Sequence, residues 1–213
     1  MLKILFQDEL LVAVDKPSGM MVHRNQECQQ GPFLVQELRT QLNQLVYPVH
    51  RLDRPTSGII LFALSPESVT EIQNLWHQNT KTYLTLVRGR TPDEFVSDRA
   101  LTFLSKGGEK KLKECRTEFK TIKHYQDCSL VEAVIKTGRQ HQIRRHLSHL
   151  GHHIIGDTTY GKGFINNKAR ASGLSRLFLH HHKLILSRPQ SESALTLVSE
   201  LSEELKDYLQ NLN

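Results

Sequence analysis

An aspartate with an arginine on either side stands in residues 49–58 (VHRLDRPTSG), the densest segment of residues that could carry chemistry. Positive charge from Arg51 and Arg54 favours the ionised form of the Asp53 carboxyl group. A proline and a glycine that follow stiffen and bend the chain, so that the carboxylate is presented at a fixed angle. Such a carboxylate can act as a nucleophile. The alternative is an Asp–Arg pair that only pins a loop, and such pairs are common on protein surfaces.

A second polar stretch, residues 136–146 (KTGRQHQIRRH), places a turn glycine immediately before a helix. Positive side chains at the N-terminus of a helix oppose the helix dipole, and a bound anion would offset that cost. The donors at this helix start are Arg139, Gln140, His141 and Gln142. An ordinary basic amphipathic helix is the alternative interpretation.

A third stretch, residues 81–89 (KTYLTLVRG), alternates as a strand does and carries Tyr83. The phenol ring of this tyrosine can stack on a nucleobase or fill the protein core. Taken alone, the residue favours core filling, because buried tyrosines are common.

Histidines are numerous, but their pattern does not predict a metal site. Residues 141–153 hold five of them and residues 180–182 form a triplet, yet no HExxH pattern occurs. Adjacent histidines on a strand point to opposite faces, so the triplet cannot converge on one ion. P-loop, GxGxxG and GxSxG motifs are also absent, which argues against an NTPase, a dinucleotide enzyme and a common serine hydrolase.

The composition favours a polyanionic partner in a reducing compartment. The 213 residues include 28 Lys and Arg against 22 Asp and Glu, a net charge of +6. A positive balance favours nucleic acid, an anionic membrane or a phosphorylated substrate. Three cysteines without a CxxC motif predict reduced thiols. The sequence has no long apolar run and no signal-peptide pattern, so we expect a cytoplasmic protein without a membrane partner.

Many strands with interspersed helices predict an α+β fold around a mainly antiparallel sheet, and the length suits a single domain over residues 1–213. The predicted strands are 3–7, 10–15, 58–64, 81–88, 117–124, 130–136, 178–186 and 194–198. The predicted helices are 32–44, one that starts after an N-cap at Ser65, 140–150 and 201–212. We expect residues 90–97, 105–114 and 161–173 to be least structured, with basic side chains suited to phosphates.

Residues 50–53 (HRLD) together with 56–58 (TSG) resemble the signature of the RluA-type pseudouridine synthases. The resemblance runs from about residue 2 to residue 189, and further fragments follow in the family's order. They are 15–19 (DKPSG), 81–83 (KTY), 138–144 (GRQHQIR), 156–161 (GDTTYG) and 179–180 (LH). The resemblance implies the pseudouridine synthase fold, a mainly antiparallel central sheet with helices and loops around it and a catalytic cleft across it.

The resemblance also implies a role for particular residues. Asp53 matches the catalytic nucleophile or base, Arg144 the arginine that pairs with it, and Tyr83 the residue that stacks on the uracil. Ile143 matches an apolar residue against the base, and Arg51 the side chain that fills the space a flipped nucleotide leaves. Candidates for phosphate contacts are Arg54, Lys16, Arg139, His141 and Gln142. No cofactor and no metal are implied.

Finer features of the sequence resemble a tRNA-modifying branch of the family, which implies RNA as the partner and uridine 65 in the T stem of tRNA as the target. Alternatives are a synthase acting on 23S ribosomal RNA or on both RNAs, a non-catalytic RNA-binding protein or chaperone, and a zinc hydrolase. We expect neither DNA binding nor an S4-like domain ahead of the first motif. A monomer is expected, because the sequence has no long apolar surface stripe.

Overall fold

The computed structural model describes residues 1–24, 31–104, 107–188 and 193–212. Cys28, one of the three cysteines, and Lys106, in the basic segment 105–114, lie outside these described residues. The chain divides into two compact units, one with residues 1–81 and 180–201, the other with residues 82–179 and 202–213. The single domain expected from length remains a prediction.

Strands dominate the described chain, and helices are fewer. In chain order the elements are β1 (Lys3–Gln7), β2 (Leu11–Lys16), α1 (Leu34–Leu42), β3 (Tyr47–Pro48), β4 (Ser57–Ala63), α2 (Pro66–Asn74), β5 (Thr80–Arg88), β6 (Glu94–Ser97), β7 (Leu101–Leu104), β8 (Lys110–Lys113), β9 (Thr117–His124), β10 (Cys128–Ile135), α3 (Gln142–His149), α4 (Gly163–Ala171), β11 (Leu179–Leu186), β12 (Leu195–Val198) and α5 (Glu203–Gln210). The predicted α+β class is confirmed. None of these helices has the length and hydropathy needed to cross a membrane.

The first unit is built on a sheet with the strand order β1-β2-β4-β11, to which β3 adds on β4 and β12 on β11. Neighbours are antiparallel except β4 and β11, which pair in parallel at Ser57 and His180. All seven residues of β4 are buried, as is usual for a strand covered on both faces. The apolar core of this unit is formed by Leu11, Ala13, Val49, Ile59, Leu61, Ala63, Ile72, Leu184, Leu186 and Leu197.

The second unit has the strand order β5-β10-β9-β6, with β7 and β8 forming a separate two-stranded hairpin. Strands β6, β9 and β10 are antiparallel to one another. Helix α3 buries Ile143 and Leu147, which lie four residues apart and therefore share a helix face.

Each predicted strand and helix is found, with ends shifted by no more than one or two residues. The N-cap at Ser65 is confirmed, since its hydroxyl oxygen accepts the backbone N–H of Ser68 at 3.1 Å. The three segments expected to be least structured are corrected: they contain β6, β8 and α4. Strand β8 is exposed throughout and pairs with β7, and neither feature follows from a local apolar pattern.

Candidate functional site

Asp53 lies in what we call the Asp53 loop, residues 49–56, which joins β3 to β4 in the first unit. Its side chain is half-buried. The backbone N–H of Thr56 donates to the carbonyl oxygen of Asp53 at 3.1 Å, so the chain turns immediately after the aspartate. The loop then enters the fully buried strand β4, which fixes the position of its end.

The turn that follows β2 is hydrogen-bonded to this loop through both main-chain and side-chain groups. The N–H of Gly19 donates to the carbonyl oxygen of Arg54 at 2.9 Å, and Nε of Arg54 donates to the carbonyl oxygen of Gly19 at 3.0 Å. The hydroxyl group of Ser18 donates to the carbonyl oxygen of Pro55 at 2.7 Å. These bonds fix the backbone on the C-terminal side of the aspartate.

Lys16 also links the turn to the Asp53 loop. Its side chain is fully buried, and Nζ donates to the carbonyl oxygens of Pro17, Met20 and Arg54 at 2.8, 2.8 and 3.1 Å. An ammonium group has three N–H donors, which matches the three backbone carbonyl oxygens that Nζ contacts. The predicted phosphate contact does not fit this environment: the charge of Lys16 joins the turn to the Asp53 loop.

The start of β4 is held from the neighbouring strand. Nε2 of His180 lies 2.9 Å from the carbonyl oxygen of Ser199, which can only accept, so its Nδ1 accepts from the Ser57 hydroxyl group at 2.9 Å. Gly58 has φ +106°, and a Cβ there would overlap the backbone of His181. Only glycine fits this position without displacing one of the two strands.

His50 belongs to the Asp53 loop and is uncharged at neutral pH. Burial lowers its pKa from 6.5 to about 4, and the nearby charge of Lys81 acts in the same direction, while a backbone hydrogen bond at Arg51 opposes both. Nε2 of the neutral ring accepts the backbone N–H of Leu61 at 3.1 Å. The imidazole therefore serves as an acceptor that ties the loop to β4.

In the second unit, Arg144 on α3 forms a buried ion pair with Asp157. Nε donates to Oδ2 at 2.7 Å and Nη2 to Oδ1 at 2.8 Å, and the two side chains are 4% and 1% exposed. Burial alone would raise the pKa of Asp157. Hydrogen bonds from Arg144 and from the N–H groups of Tyr160 and Thr159, together with the arginine charge, outweigh it and hold that pKa below its usual value.

Tyr160 and His141 lie next to this ion pair. We call the four residues Arg144, Asp157, Tyr160 and His141 the Arg144 cluster. The ring of Tyr160 lies over the guanidinium group, with Cζ 5.1 Å from the ring centroid. The phenol oxygen of Tyr160 lies 3.0 Å from Nδ1 of His141. His141, the N-cap of α3, has the left-handed φ of +54°. His141, one of the predicted phosphate contacts, is therefore linked to Arg144 through Tyr160.

Gln142, another predicted phosphate contact, is buried and saturated. Its Oε1 accepts from the hydroxyl group of Thr137 at 2.8 Å and from the N–H of Arg139 at 3.1 Å. Its Nε2 donates to the carbonyl oxygen of Arg116 at 3.0 Å and to Oγ1 of Thr117 at 3.1 Å. These bonds account for the hydrogen-bonding capacity of the amide, so an RNA contact does not fit and Gln142 instead shapes the turn before α3.

The other predicted site residues differ in exposure. Tyr83 on β5 and Ile143 on α3 are buried in the second unit. Arg51 and Arg54 are exposed, and Arg139 is half-buried. Asp53 belongs to the first unit and Arg144 to the second, so the pairing of these two side chains remains a prediction.

The histidine triplet is used within the fold. Nδ1 of His181 donates to the carbonyl oxygen of Ile59 at 2.7 Å, and Nδ1 of His182 donates to that of Ser199 at 2.8 Å. Within the described ranges, no group of three or more His, Cys, Asp or Glu side chains is arranged to hold a metal ion.

Sequence reasoning missed Asp157 and Tyr160 as site residues. Both stand in the 156–161 fragment that carries part of the family resemblance, so a signal was present. Their partner Arg144 is 13 residues from Asp157, and no local pattern joins the two positions.

Comparisons with known proteins agree on one family. A sequence model of the RNA pseudouridylate synthases matches residues 10–149. The tRNA pseudouridine synthase C of Vibrio cholerae is 39% identical, over 95% of this chain and 92% of that protein. The protein of the same name from Haemophilus influenzae is 39% identical, over 98% of this chain and 97% of that protein.

Solved structures show the same fold. Human RNA pseudouridylate synthase domain containing 4 superposes with a TM-score of 0.77 at 26% identity, covering 98% of this chain and 92% of that one. Human RNA pseudouridylate synthase domain containing 1 superposes with a TM-score of 0.73 at 22% identity, covering 100% and 96%.

Proposed function

This chain belongs to the RNA pseudouridylate synthase family, and we propose on that premise that it isomerises uridine 65 in the T stem of tRNA, with Asp53 as the nucleophile. It is an RNA pseudouridine isomerase. The observation that supports tRNA as the substrate is the 39% identity to the V. cholerae tRNA pseudouridine synthase C over nearly the whole chain.

The reaction breaks the C1′–N1 glycosidic bond, turns the uracil and joins C1′ to C5. The proton lost from C5 is balanced by the one gained at N1. Glycosidases usually need a second carboxyl group as a general acid, but uracil can leave as a resonance-stabilised anion. A single carboxylate is therefore sufficient, and no cofactor or metal is required. Attack of Asp53 on the sugar, attack on uracil C6 and elimination through a glycal are the available routes.

Arg144 is proposed to pair with Asp53 and keep the carboxylate ionised and oriented, because an opposite charge favours the charged form. Tyr83 is proposed to stack on the uracil and to assist loss of the C5 proton. Ile143 supplies an apolar contact to the base. Support for these roles comes from the family to which the chain belongs, whose sequence model spans both residues.

A paired uridine must leave its stack before it can react, at a cost of a few kcal/mol. Arg51 is exposed and is proposed to fill the vacated space in the RNA helix. Arg54 and Arg139 are proposed to bind phosphates. We expect Arg51→Ala to reduce activity on folded tRNA far more than on an unpaired loop. Equal losses on both RNAs would contradict this role.

We propose a single catalytic domain that acts as a monomer in the cytoplasm, where its RNA substrate is made. The two compact units of the chain then contribute to one catalytic function. Sedimentation at micromolar concentration tests the monomer, and limited proteolysis tests whether both units unfold together.

Tritium release tests the proposed reaction. The protein is incubated with tRNA labelled at uridine C5 and, separately, with labelled ribosomal RNA. We expect label to appear in water with tRNA, to vanish in Asp53→Asn, and to be lost when uridine 65 of the tRNA is replaced by cytidine. Asp93→Asn removes a fully exposed carboxylate of the second unit and is the matched control, expected to keep full activity.

The outcomes separate the alternatives. Release only from ribosomal RNA keeps the isomerase and overturns the tRNA target. Release from tRNA that lacks uridine 65 overturns the position alone. Full activity in Asp53→Asn contradicts the proposal that Asp53 is the nucleophile.

A further inference from the structure

The carboxylate of Asp157 is held from two directions. Oδ1 accepts the backbone N–H groups of Thr159 and Tyr160 at 2.9 and 3.0 Å as well as Nη2 of Arg144, and Oδ2 accepts Nε of Arg144. The two main-chain donors fix the carboxylate to the turn at residues 156–161. The arginine is thereby bound to a rigid support.

The turn itself has little freedom to move. The side-chain amide of Asn166 on α4 accepts the N–H of Gly156 at 2.9 Å and donates to the carbonyl oxygen of Asp157 at 2.8 Å. A Cβ at Gly156 would overlap the carbonyl oxygen of Arg176, and one at Gly161 would overlap that of Asp157. Helix α4 thus braces the support on which the carboxylate stands.

Fold stability does not explain a pair of this kind. A buried ion pair is often no more stabilising than apolar side chains of the same volume, because both charges must be desolvated. What a bidentate pair does supply is direction, since a planar guanidinium bound along one edge by two hydrogen bonds can neither rotate nor tilt. The ring of Tyr160 across one face further restricts it.

We propose that Asp157 is a positioning residue that fixes the orientation of the Arg144 guanidinium group on which the reaction depends. This inference rests on the proposed function, in which Arg144 pairs with Asp53. Asp157 binds the Nε and Nη2 edge of the guanidinium group, and this edge is thereby fixed relative to the turn at residues 156–161. The Asp157 side chain is 1% exposed, so in this proposal it acts through Arg144 and not on the RNA itself. Tyr160 keeps the guanidinium plane in place.

The test separates orientation from folding by measuring kcat and KM for tRNA in Asp157→Asn. Without two carboxylate oxygens as acceptors, the guanidinium group of Arg144 can rotate. A displacement of about 1 Å can cost on the order of a hundredfold in rate. We therefore expect kcat to fall at least about tenfold with KM within twofold. Asp157→Glu, which restores the charge, is expected to recover part of kcat.

Asp8→Asn is the matched control. Asp8 has a similar arrangement, with Oδ1 accepting two backbone N–H groups at 2.9 Å and Oδ2 accepting Nη1 of Arg188 at 3.0 Å, but it lies in the first unit, between β1 and β2. The Asp8→Asn variant should have the same kcat as the unmodified protein. An equal fall of kcat in Asp8→Asn and Asp157→Asn would overturn the proposal, because any lost ion pair would then do the same.

A spectroscopic measurement reports on the orientation of the Arg144 side chain and does not depend on enzymatic activity. In protein labelled with ¹⁵N at arginine, the Nε–H resonance of Arg144 should exchange slowly with water and become fast in Asp157→Asn. Unchanged exchange contradicts the proposal even if the reaction differs from the one proposed. Should Asp157→Asn fail to fold, Tyr160→Leu removes the ring over the guanidinium, and a kcat equal to that of the unmodified protein then contradicts the proposal.

Discussion

The Asp53 loop and the Arg144 cluster are fixed by different kinds of interaction. The C-terminal side of the loop is held mainly through its main chain, because the carbonyl oxygens of Arg54 and Pro55 accept hydrogen bonds from Lys16, Ser18 and Gly19. Arg144 is held through its side chain, by the carboxylate of Asp157. Main-chain attachment leaves the identity of the loop's exposed side chains open to change, whereas side-chain attachment ties Arg144 to one partner.

This difference decides how each region responds to substitution. In the Asp53 loop, changes that move the backbone should matter more than changes to exposed side chains. In the Arg144 cluster, removal of one charge should matter even where the backbone keeps its path, because a buried charge without its partner is costly.

The largest effect is expected from Gly58→Ala in β4, two residues after the Asp53 loop. The new Cβ overlaps the His181 backbone and the φ of +106° is unfavourable for alanine, so strain and overpacking together should cost more than about 3 kcal/mol. Gly151→Ala is the control: its φ is +82°, but nothing lies within 4 Å of the Cβ, and about 1–2 kcal/mol is expected. Urea unfolding measures both, and equal losses would show that crowding at Gly58 is unimportant.

Lys16→Met should be next. It keeps the length of the side chain but leaves three carbonyl oxygens without their donor, at about 1–3 kcal/mol for a buried unsatisfied group. The Asp53 loop should loosen, so kcat should fall while the salt dependence of RNA binding stays the same. A weaker salt dependence would instead show that Lys16 binds phosphate, and would remove the contrast between buried and exposed cations in this region.

Acidity should affect the Asp53 loop before the Arg144 cluster. The pKa of His50 is about 4 in the folded protein against 6.5 when unfolded, so the unfolded state binds more protons between these pH values. Stability should fall from pH 6.5 towards pH 4, by up to about 3 kcal/mol. His181, whose pKa is also lowered by burial, acts in the same direction. The lowered pKa of Asp157 contributes stability that is lost only at more acidic pH, below its ordinary value of 3.8.

His50→Gln measures the contribution of this one ring. Glutamine can still accept the Leu61 N–H but does not titrate, so urea unfolding at pH 7 and pH 5 should show a shallower loss than in the unmodified protein. An identical slope in the two proteins would show that His50 is protonated as easily in the folded as in the unfolded chain.

The smallest effect on stability is expected from Arg54→Ala. The side chain is exposed, and its one hydrogen bond is to the Gly19 carbonyl oxygen at 3.0 Å. If the guanidinium binds a phosphate, RNA affinity should fall and the slope of log K against log salt should become shallower by about 1. Glu71→Ala, at an exposed position on α2, should leave the slope unchanged. A slope unchanged in Arg54→Ala as well would place phosphate binding elsewhere.

Sequence reasoning located the elements of the fold well and the contacts of the site less well. Strand β9 was placed at its observed ends, because alternation of apolar residues is a local signal. Helix α4 was missed: its sequence, GFINNKARA, lacks apolar periodicity, and Asn166 binds the turn before it. Charge and polarity are visible in a sequence and predict phosphate contacts at Lys16 and Gln142, whereas the burial of these two side chains depends on which distant segments meet.

The division of the first unit into residues 1–81 and 180–201 bears on how the chain is made. Ser57 of β4 and His180 of β11 are 123 residues apart. At about 5–20 residues per second, β11 leaves the ribosome roughly 6–25 s after β4. Until then the start of β4 waits without its parallel neighbour, and unpaired strand edges favour association with other chains. Residues 1–81 of the nascent chain therefore spend this interval with the start of β4 unpaired on the side that β11 later covers.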